Sequence, residues 1–385
     1  MSHLLFDLPP LSPDYSGVAS VFHDLGALTV LHDASGCTGT YTGYDEPRWF
    51  GSSSPIFCSG LREMDAIMGD DGRLLEKIKA ALRNMHAPCV SVIGSPVPMV
   101  IGFDFKGFAS LVEHETGLPT FGFPTNGLHY YDQGQRDAYL AIAKRLLEKV
   151  PRRIRRTLNI LGASALDGFD DPSLDILEAM LSAEGFTRLA LWGERSSWEV
   201  LKESTVAELN WVVTAAALPL ARFFEERFDI PFVVGLPIGK REQDRIFSAF
   251  ELLSSGEKSA YQFPPIQVAS DQKSETMIVG EALFCSSFRS YLETEVASGP
   301  VGIGTFFSQG KDLLGPGDIL FSTEDEARQA LSTPQLTWIL ADPLLKDLLP
   351  KDATPRFTPL PHRAVSGRLY PASLAPFFGA TPLIP

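Results

Sequence analysis

The sequence predicts an α/β protein whose parallel sheets are flanked by helices. Two observations support this. Short apolar runs of strand length alternate with stretches of helical length along most of the chain, the signature of strand–helix–strand units. At 385 residues the chain also exceeds the size that one hydrophobic core usually serves, which spreads those units over two or three domains.

The first unit spans 1–150. Its first sixteen residues are Pro-rich and read as an extended arm. A Gly/Ala-rich helix is expected over Ser16–Ala27, then a strand over Leu28–Leu31 that delivers His32 and Cys37 into a glycine-rich loop. Residues 44–60 read as irregular. Leu61–Met85 reads as helix around a break at Asp70-Asp71-Gly72, and Cys89–Gly94 as a short buried strand. A helix over Phe105–Thr116, a strand over Pro119–Phe123 and a helix over Gln135–Glu148 close this unit.

A basic connector, Lys149–Arg156, leads into a second unit over 157–253. Its expected strands are Thr157–Leu161, Arg188–Trp192, Leu209–Thr214 and Phe232–Gly235. The helices between them are Pro172–Glu184, Ser196–Glu203 and Leu218–Phe228. A Ser/Lys-rich stretch at 254–260 precedes a third unit over 261–349. Strands are expected there at Thr276–Val279, Val301–Gly304 and Leu336–Leu340, with helices at Glu281–Ala297 and Glu324–Leu331. Residues 350–385 form a Pro-rich tail that packs back on the core and ends in a helical turn near Ser373–Phe378.

Composition narrows the function classes. Net charge is −14, from 47 acidic against 33 basic residues, which argues against a nucleic-acid partner because phosphate binding needs a basic face. No apolar run reaches bilayer-spanning length, and the N-terminus lacks the basic and apolar regions of a signal peptide. The expected location is cytoplasmic and the expected partners exclude membrane. Cysteines there stay reduced and serve more often as metal ligands or catalytic groups than as disulfides.

Three of the four cysteines fall between His32 and Cys89. Cys37 follows a Ser-Gly step, Cys58 closes a Ser/Pro loop and Cys89 follows a Pro, so each adjoins small or turn-forming residues. None belongs to a CxxC pair, and gaps of 20 and 30 intervening residues do not match a zinc ribbon or a bacterial ferredoxin run. Such loop thiolates suit one iron–sulfur cluster gripped from several directions. The alternative is that they fill space, as free cysteines often do. Cys285 lies inside a helical run and reads as core. His32, five residues before Cys37, is either a neighbour of a cluster or a strand-end residue bonded to backbone.

Glycines follow several strands, at Gly94, Gly162, Gly193 and Gly304, but none sits in a GxGxxG or Walker pattern, so a dinucleotide or phosphate loop is unsupported. His362-Arg363, in a Pro-bounded loop, can donate protons or hold a substrate carboxylate. An ordinary surface loop is the competing reading.

The order of these pieces resembles the nitrogenase component 1 type oxidoreductase superfamily. His32-x-x-Ser35-Gly36-Cys37 is similar to its HGxxGC loop, and Ser54-Pro55-Ile56-Phe57-Cys58 to its second cluster cysteine. Leu61–Asp70 is similar to the E-x-D-x-V-x-G-G helix start, with Asp70 in place of the second glycine. Cys89–Gly94 is similar to a third cysteine with a C-x-x-x-I-G continuation, and Phe121–Gly127 to the loop before the last helix of that domain. Fainter similarity runs to Pro361-His362-Arg363.

The resemblance implies three Rossmann-like domains. It implies Cys37, Cys58 and Cys89 as ligands of an iron–sulfur cluster near a dimer interface, with Ser35 and Gly36 against the cofactor. The cluster is expected to be [4Fe–4S], with Asp33 or a partner supplying a fourth ligand, or a P-cluster-like [8Fe–7S] centre built from three cysteines of each copy. A homodimer, or a heterodimer with a related component 1 subunit, and an ATP-dependent iron–sulfur reductase are the implied partners. His362 and Arg363 are the implied proton or carboxylate partners of an unsaturated or sulfur-containing substrate. Asn210–Ala217 offers no cysteine where relatives hold an iron–molybdenum-type cofactor, which argues against dinitrogen reduction. The short chain is closer to the tetrapyrrole-reducing and F430 reductive cyclase branch. A scaffold for metallocofactor assembly and a metal-free ligand-binding protein are the competing functions.

Overall fold

Strands covered on both faces need apolar residues at nearly every position, and the central strands of this chain have them. In the computed structural model, Leu28–Leu31 (β1), Val90–Ile93 (β3), Phe232–Val234 (β8) and Thr276–Val279 (β9) are buried throughout. The structure describes residues 6–50, 54–69, 71–257, 274–350, 355–366 and 373–382. Asp70, part of the Ser/Lys-rich stretch and residues 367–372 of the C-terminal loop lie outside them.

Three parallel sheets form. The first orders Ile56–Cys58 (β2), β1, β3 and Thr120–Phe123 (β4). The second orders Thr187–Gly193 (β6), Ile154–Ala163 (β5), Ala207–Val212 (β7) and β8. The third orders Ile319–Leu320 (β11), Val301–Thr305 (β10), β9, Trp338–Ala341 (β12) and Arg356–Pro359 (β13). In each sheet the first strand lies inside and the order reverses beside it. The crevice outside the carboxyl ends of the strands at such a reversal is where open α/β sheets bind ligands. Here the three reversals fall between β1 and β3, β5 and β7, and β9 and β12.

Helix Asp14–Phe22 is buried along its whole length and crosses helix Tyr131–Leu146 backbone against backbone. A Cβ at Gly17 would stand 2.0 Å from the Tyr131 carbonyl oxygen, and one at Gly134 1.9 Å from that of Asp14. Only glycine fits either place, and the crossing fixes Tyr131.

Several elements differ from expectation. The Leu61–Met85 helix divides into Glu63–Met68 and Asp71–Leu82, because Gly69 turns left-handed at φ 63° and ends the first piece. Helix Lys240–Ser254 is unforeseen. Its charged first turns conceal an inward face of Ile246, Phe247, Ala249 and Phe250. Edge strands β2, β11 and β13 also escape, being two to four residues long. No described helix is long and apolar enough to cross a membrane.

Candidate functional site

At the carboxyl end of β1 the chain must leave the sheet and turn into helix Gly36–Thr40. Asp33 organises the turn. Its Oδ2 accepts from the Ser35 N–H at 3.0 Å, the Thr38 N–H at 3.1 Å and the Thr38 hydroxyl at 3.2 Å. These bonds hold Ser35 at φ 132°, a conformation that favours glycine. Cβ atoms at Gly36 and Gly39 would meet nothing within 4 Å, so the loop faces open space.

Cys37 starts this helix half-buried beside Tyr15, whose hydroxyl bonds its thiol. Burial pushes the thiol up, and that bond pulls the other way. Cys58 ends β2, opposite Leu31. Its thiol lies 3.4 Å from the Asp33 carbonyl and accepts from the Gly60 N–H at 3.3 Å. Cys37 and Cys58 therefore flank the same Asp33 turn. Ser95, just past β3, bonds the His32 carbonyl at 3.0 Å and belongs to the same edge.

Cys89 does not join them. Val90 pairs with Leu28, while Leu31 pairs with both Ile93 and Cys58, so Cys89 precedes β3 at the amino edge of the sheet. Three strand residues alone separate the two edges by roughly 10 Å. Cys89 is fully buried in the main core, and burial pushes its thiol up to about 12. The three-thiol grip expected from the sequence is reduced to two at this edge. His32 accounts for its ring locally. Its Nδ1 lies 2.9 Å from the Ser59 hydroxyl and its ring packs on Phe103, while burial holds it down to about 4. Among the described residues no group of three or more His, Cys, Asp or Glu is disposed to hold a metal ion.

An apolar rim surrounds this edge. Helix Glu63–Met68 buries no residue and exposes Met64, Ile67 and Met68, while Val97, Val100 and Ile101 protrude beyond β3, with Val100 86% exposed.

The second and third sheets bring their reversal points together around a cavity of about 460 Å³. Asp167 follows β5, Thr214 follows β7, Gly280 and Glu281 follow β9, and Pro361, His362 and Arg363 follow β13. Phe169, Leu236, Phe284 and Phe377 supply apolar wall. No cysteine lines it. Cys285 lies fully buried in the core.

His362 is the hub. Its ring nitrogen Nε2 is 3.1 Å from the Tyr131 hydroxyl, which lies 2.5 Å from Asp167 Oδ1. The Phe307 ring packs on it at 5.0 Å, and burial holds its pKa down to about 4. Its backbone N–H donates to Asp342 at 2.7 Å. Burial, with Glu281 next, pushes the Asp167 carboxyl far above the usual carboxylate range. Glu281 is raised too, also by burial, although its carboxylate accepts from the Ala215 and Phe284 N–H groups at 2.8 Å each. Near Arg363, burial lifts Glu194 to about 8. Asp167, Tyr131 and Glu281 escape sequence reasoning. The one available signal is that Asp167 and Glu281 follow strands that a parallel sheet would place side by side.

A family model described as nitrogenase component 1 type oxidoreductase matches residues 14–304, so His362 and Arg363 lie beyond the matched stretch. Among curated proteins, the nitrogenase iron-molybdenum cofactor biosynthesis protein NifE of Sinorhizobium fredii is 27% identical over 46% of this chain and 36% of its own. NifE of Clostridium pasteurianum is 25% identical over 57% and 48%, and NifE of Methanosarcina barkeri 21% over 57% and 50%. The chain thus spans half or less of the length of these relatives. A solved structure titled "Nitrogenase Cp1 at pH 6.5" superposes with a TM-score of 0.59 at 15% identity, over 85% of this chain and 70% of that one. At that identity the likeness shows the fold alone.

Proposed function

The chain belongs to the nitrogenase component 1 type oxidoreductase family, and from that premise we propose that it is an electron-accepting subunit that reduces an unsaturated or sulfur-containing organic molecule in the central cavity. The observation that carries the reading is the cavity wall. It joins an imidazole, a guanidinium and the Asp167 carboxyl, whose neutral form burial favours, to a mainly apolar lining without thiolate. That chemistry holds and protonates an organic body, with Arg363 taking a carboxylate. It does not grip a metal–sulfur cofactor through cysteine.

Cys37 and Cys58 fit an iron–sulfur cluster as one half of its ligands. A [4Fe–4S] cluster takes four thiolates, and one chain supplies two beside open space. Two copies meeting through the apolar rim supply four, which favours a shared [4Fe–4S] over an [8Fe–7S] centre. The cluster, when bound, stores low-potential electrons one at a time. The Gly60 N–H on Cys58 stabilises thiolate charge and raises the potential of what the thiolate binds. The electron donor in this reading is an ATP-dependent iron–sulfur reductase.

The test is reduction of the anaerobically purified protein by such a reductase with ATP, followed by reoxidation with candidate unsaturated or sulfur-containing compounds. Cluster reduction followed by substrate-dependent reoxidation, slowed in His362→Ala, is expected. Unchanged turnover in that variant overturns the role of the cavity.

The similarity to NifE favours a second reading, a scaffold for metallocofactor assembly. A scaffold passes its cluster intact to a second protein and gives no substrate-dependent reoxidation.

A further inference from the structure

A neutral, half-buried imidazole is a poor acid by itself. His362 charges only near pH 4, so at neutral pH it holds no surplus proton to give to a molecule in the cavity. The groups behind it change that. Tyr131, fully buried, bridges His362 Nε2 at 3.1 Å and Asp167 Oδ1 at 2.5 Å. Both are hydrogen-bond distances, the second among the shortest. Among the described residues Asp167 Oδ2 is buried with no partner at ideal hydrogen-bond geometry, although the Gln135 side chain lies close enough to bond the carboxyl and favour its charged form. The one side-chain bond of the His362 ring among them runs from Nε2.

We propose that Asp167, Tyr131 and His362 form a proton relay that delivers a proton to the cavity occupant by exchanging the tautomer of His362. The proposal rests on the reading that a substrate is reduced in this cavity. In the proposed resting arrangement Asp167 carries the proton on Oδ1 and donates it to the Tyr131 oxygen, the reverse of the bond that a charged Asp167 accepts from the Tyr131 hydroxyl. Tyr131 donates to Nε2, and the imidazole proton sits on Nδ1, the nitrogen left for the occupant. The reductase supplies electrons to the substrate, which gives one of its atoms a basic pair.

That atom takes the Nδ1 proton, so the Nδ1–H bond breaks and a bond from hydrogen to substrate forms. Nε2 takes the Tyr131 proton, and the Tyr131 oxygen takes the Asp167 proton. One proton has crossed from Asp167 to the substrate. The imidazole ends neutral in its Nε2–H form, and Asp167 ends as carboxylate until solvent returns its proton. No imidazolium forms at any point, so the low basicity of His362 is no obstacle. The heavy atoms need not move, because either proton arrangement satisfies the same two bonds.

The surroundings set the resting state. Asp167 faces Tyr131, Asp132 and Gln135 from helix Tyr131–Leu146 and Glu281 from the start of the helix after β9. Burial and the negative neighbours Glu281 and Asp132 all disfavour a charged Asp167. The Tyr131 hydroxyl and the Gln135 side chain are the groups that ease the carboxylate left after transfer. Tyr131 and Asp167 act through His362 and are positioning residues.

The experiment reads proton positions in the full, cluster-loaded protein without a substrate. Infrared difference spectra at pH 7 are expected to show a protonated carboxyl band that shifts in D₂O, disappears in Asp167→Asn and moves in Tyr131→Phe. Nitrogen-15 spectra of histidine-labelled protein, assigned with His362→Gln, are expected to show His362 mainly as the Nδ1–H form. In Tyr131→Phe that preference is expected to be lost, with Nε2–H becoming the major form. A carboxyl band indifferent to both variants, or a majority Nε2–H form in the wild type, overturns the relay. Tyr131→Phe removes one oxygen from a packed ring, so the relay stays testable if Asp167→Asn fails to fold. Failure of substrate-dependent reoxidation with these spectra intact overturns the reading of function and not the relay.

Discussion

Replacing Gly17 with Ala links the packing of the fold to its site. In an open helix position this substitution stabilises by about 1 kcal/mol, because glycine loses more backbone freedom on folding. At Gly17 the new methyl would lie 2.0 Å from the Tyr131 carbonyl oxygen and 2.9 Å from its Cα. Ordinary contact begins at 3.4 Å, a shortfall of about 1.4 Å. The obstacle is backbone and cannot rotate away, which places the overpacking cost near about 3 kcal/mol, the upper end of its usual range. The net expectation is a loss of about 2 kcal/mol in urea denaturation, with Tyr131 pushed off the 3.1 Å contact to His362. Gly39→Ala is the control, since a methyl there meets nothing within 4 Å, and is expected to be neutral or stabilising. A Gly17→Ala protein as stable as that control, with the His362 nitrogen-15 signals unmoved, refutes the packing argument.

Three other predictions use the same logic. Arg289→Leu strands Asp318, whose carboxylate meets the guanidinium at 2.7 and 2.9 Å with both side chains at most 3% exposed; denaturant titration is expected to show a loss of about 3–5 kcal/mol. His362 takes its proton only near pH 4, whereas an unfolded histidine does so near pH 6.5. Between these values the unfolded chain binds more protons, so stability falls as pH drops through the window, by up to about 3 kcal/mol. His362→Gln is expected to flatten that part of the stability–pH curve. Glu194 has the opposite sign: raised to about 8, it favours the folded state at low pH, and that contribution is lost as pH rises from the ordinary glutamate range through 8. Glu194→Gln is expected to lessen the alkaline decline in thermal melts.

The central strands were legible because β1, β3 and β9 are short, mainly apolar runs, each with a single small hydroxyl residue, between turn residues. Helix Lys240–Ser254 was not, because Lys240-Arg241-Glu242-Gln243-Asp244 masks its periodic inner face. The placement of Cys89 shows what motif likeness alone misses. Read as the first residue of a parallel strand, it belongs to the amino edge of its sheet, whereas Cys37 and Cys58 follow or end strands and belong to the carboxyl edge. Strand direction carries that information and the spacing of cysteines does not. His362 and Arg363 were visible as a pair in the sequence. Their setting was not, since Tyr131 lies 231 residues from His362 in sequence and only the crossing at Gly17 and Gly134 fixes it beneath the cavity.

The number of thiolates that reach one cluster separates a centre shared by two copies from one held within a single chain. Native mass spectrometry of anaerobically purified protein, with Cys37→Ser, Cys58→Ser and Cys89→Ser in parallel, tests this directly. The expected species is a dimer of this chain with four irons and four sulfides, lost in the first two variants and retained in Cys89→Ser. A monomer without iron after reconstitution, or a cluster that Cys89→Ser abolishes as fully as Cys58→Ser, would contradict it.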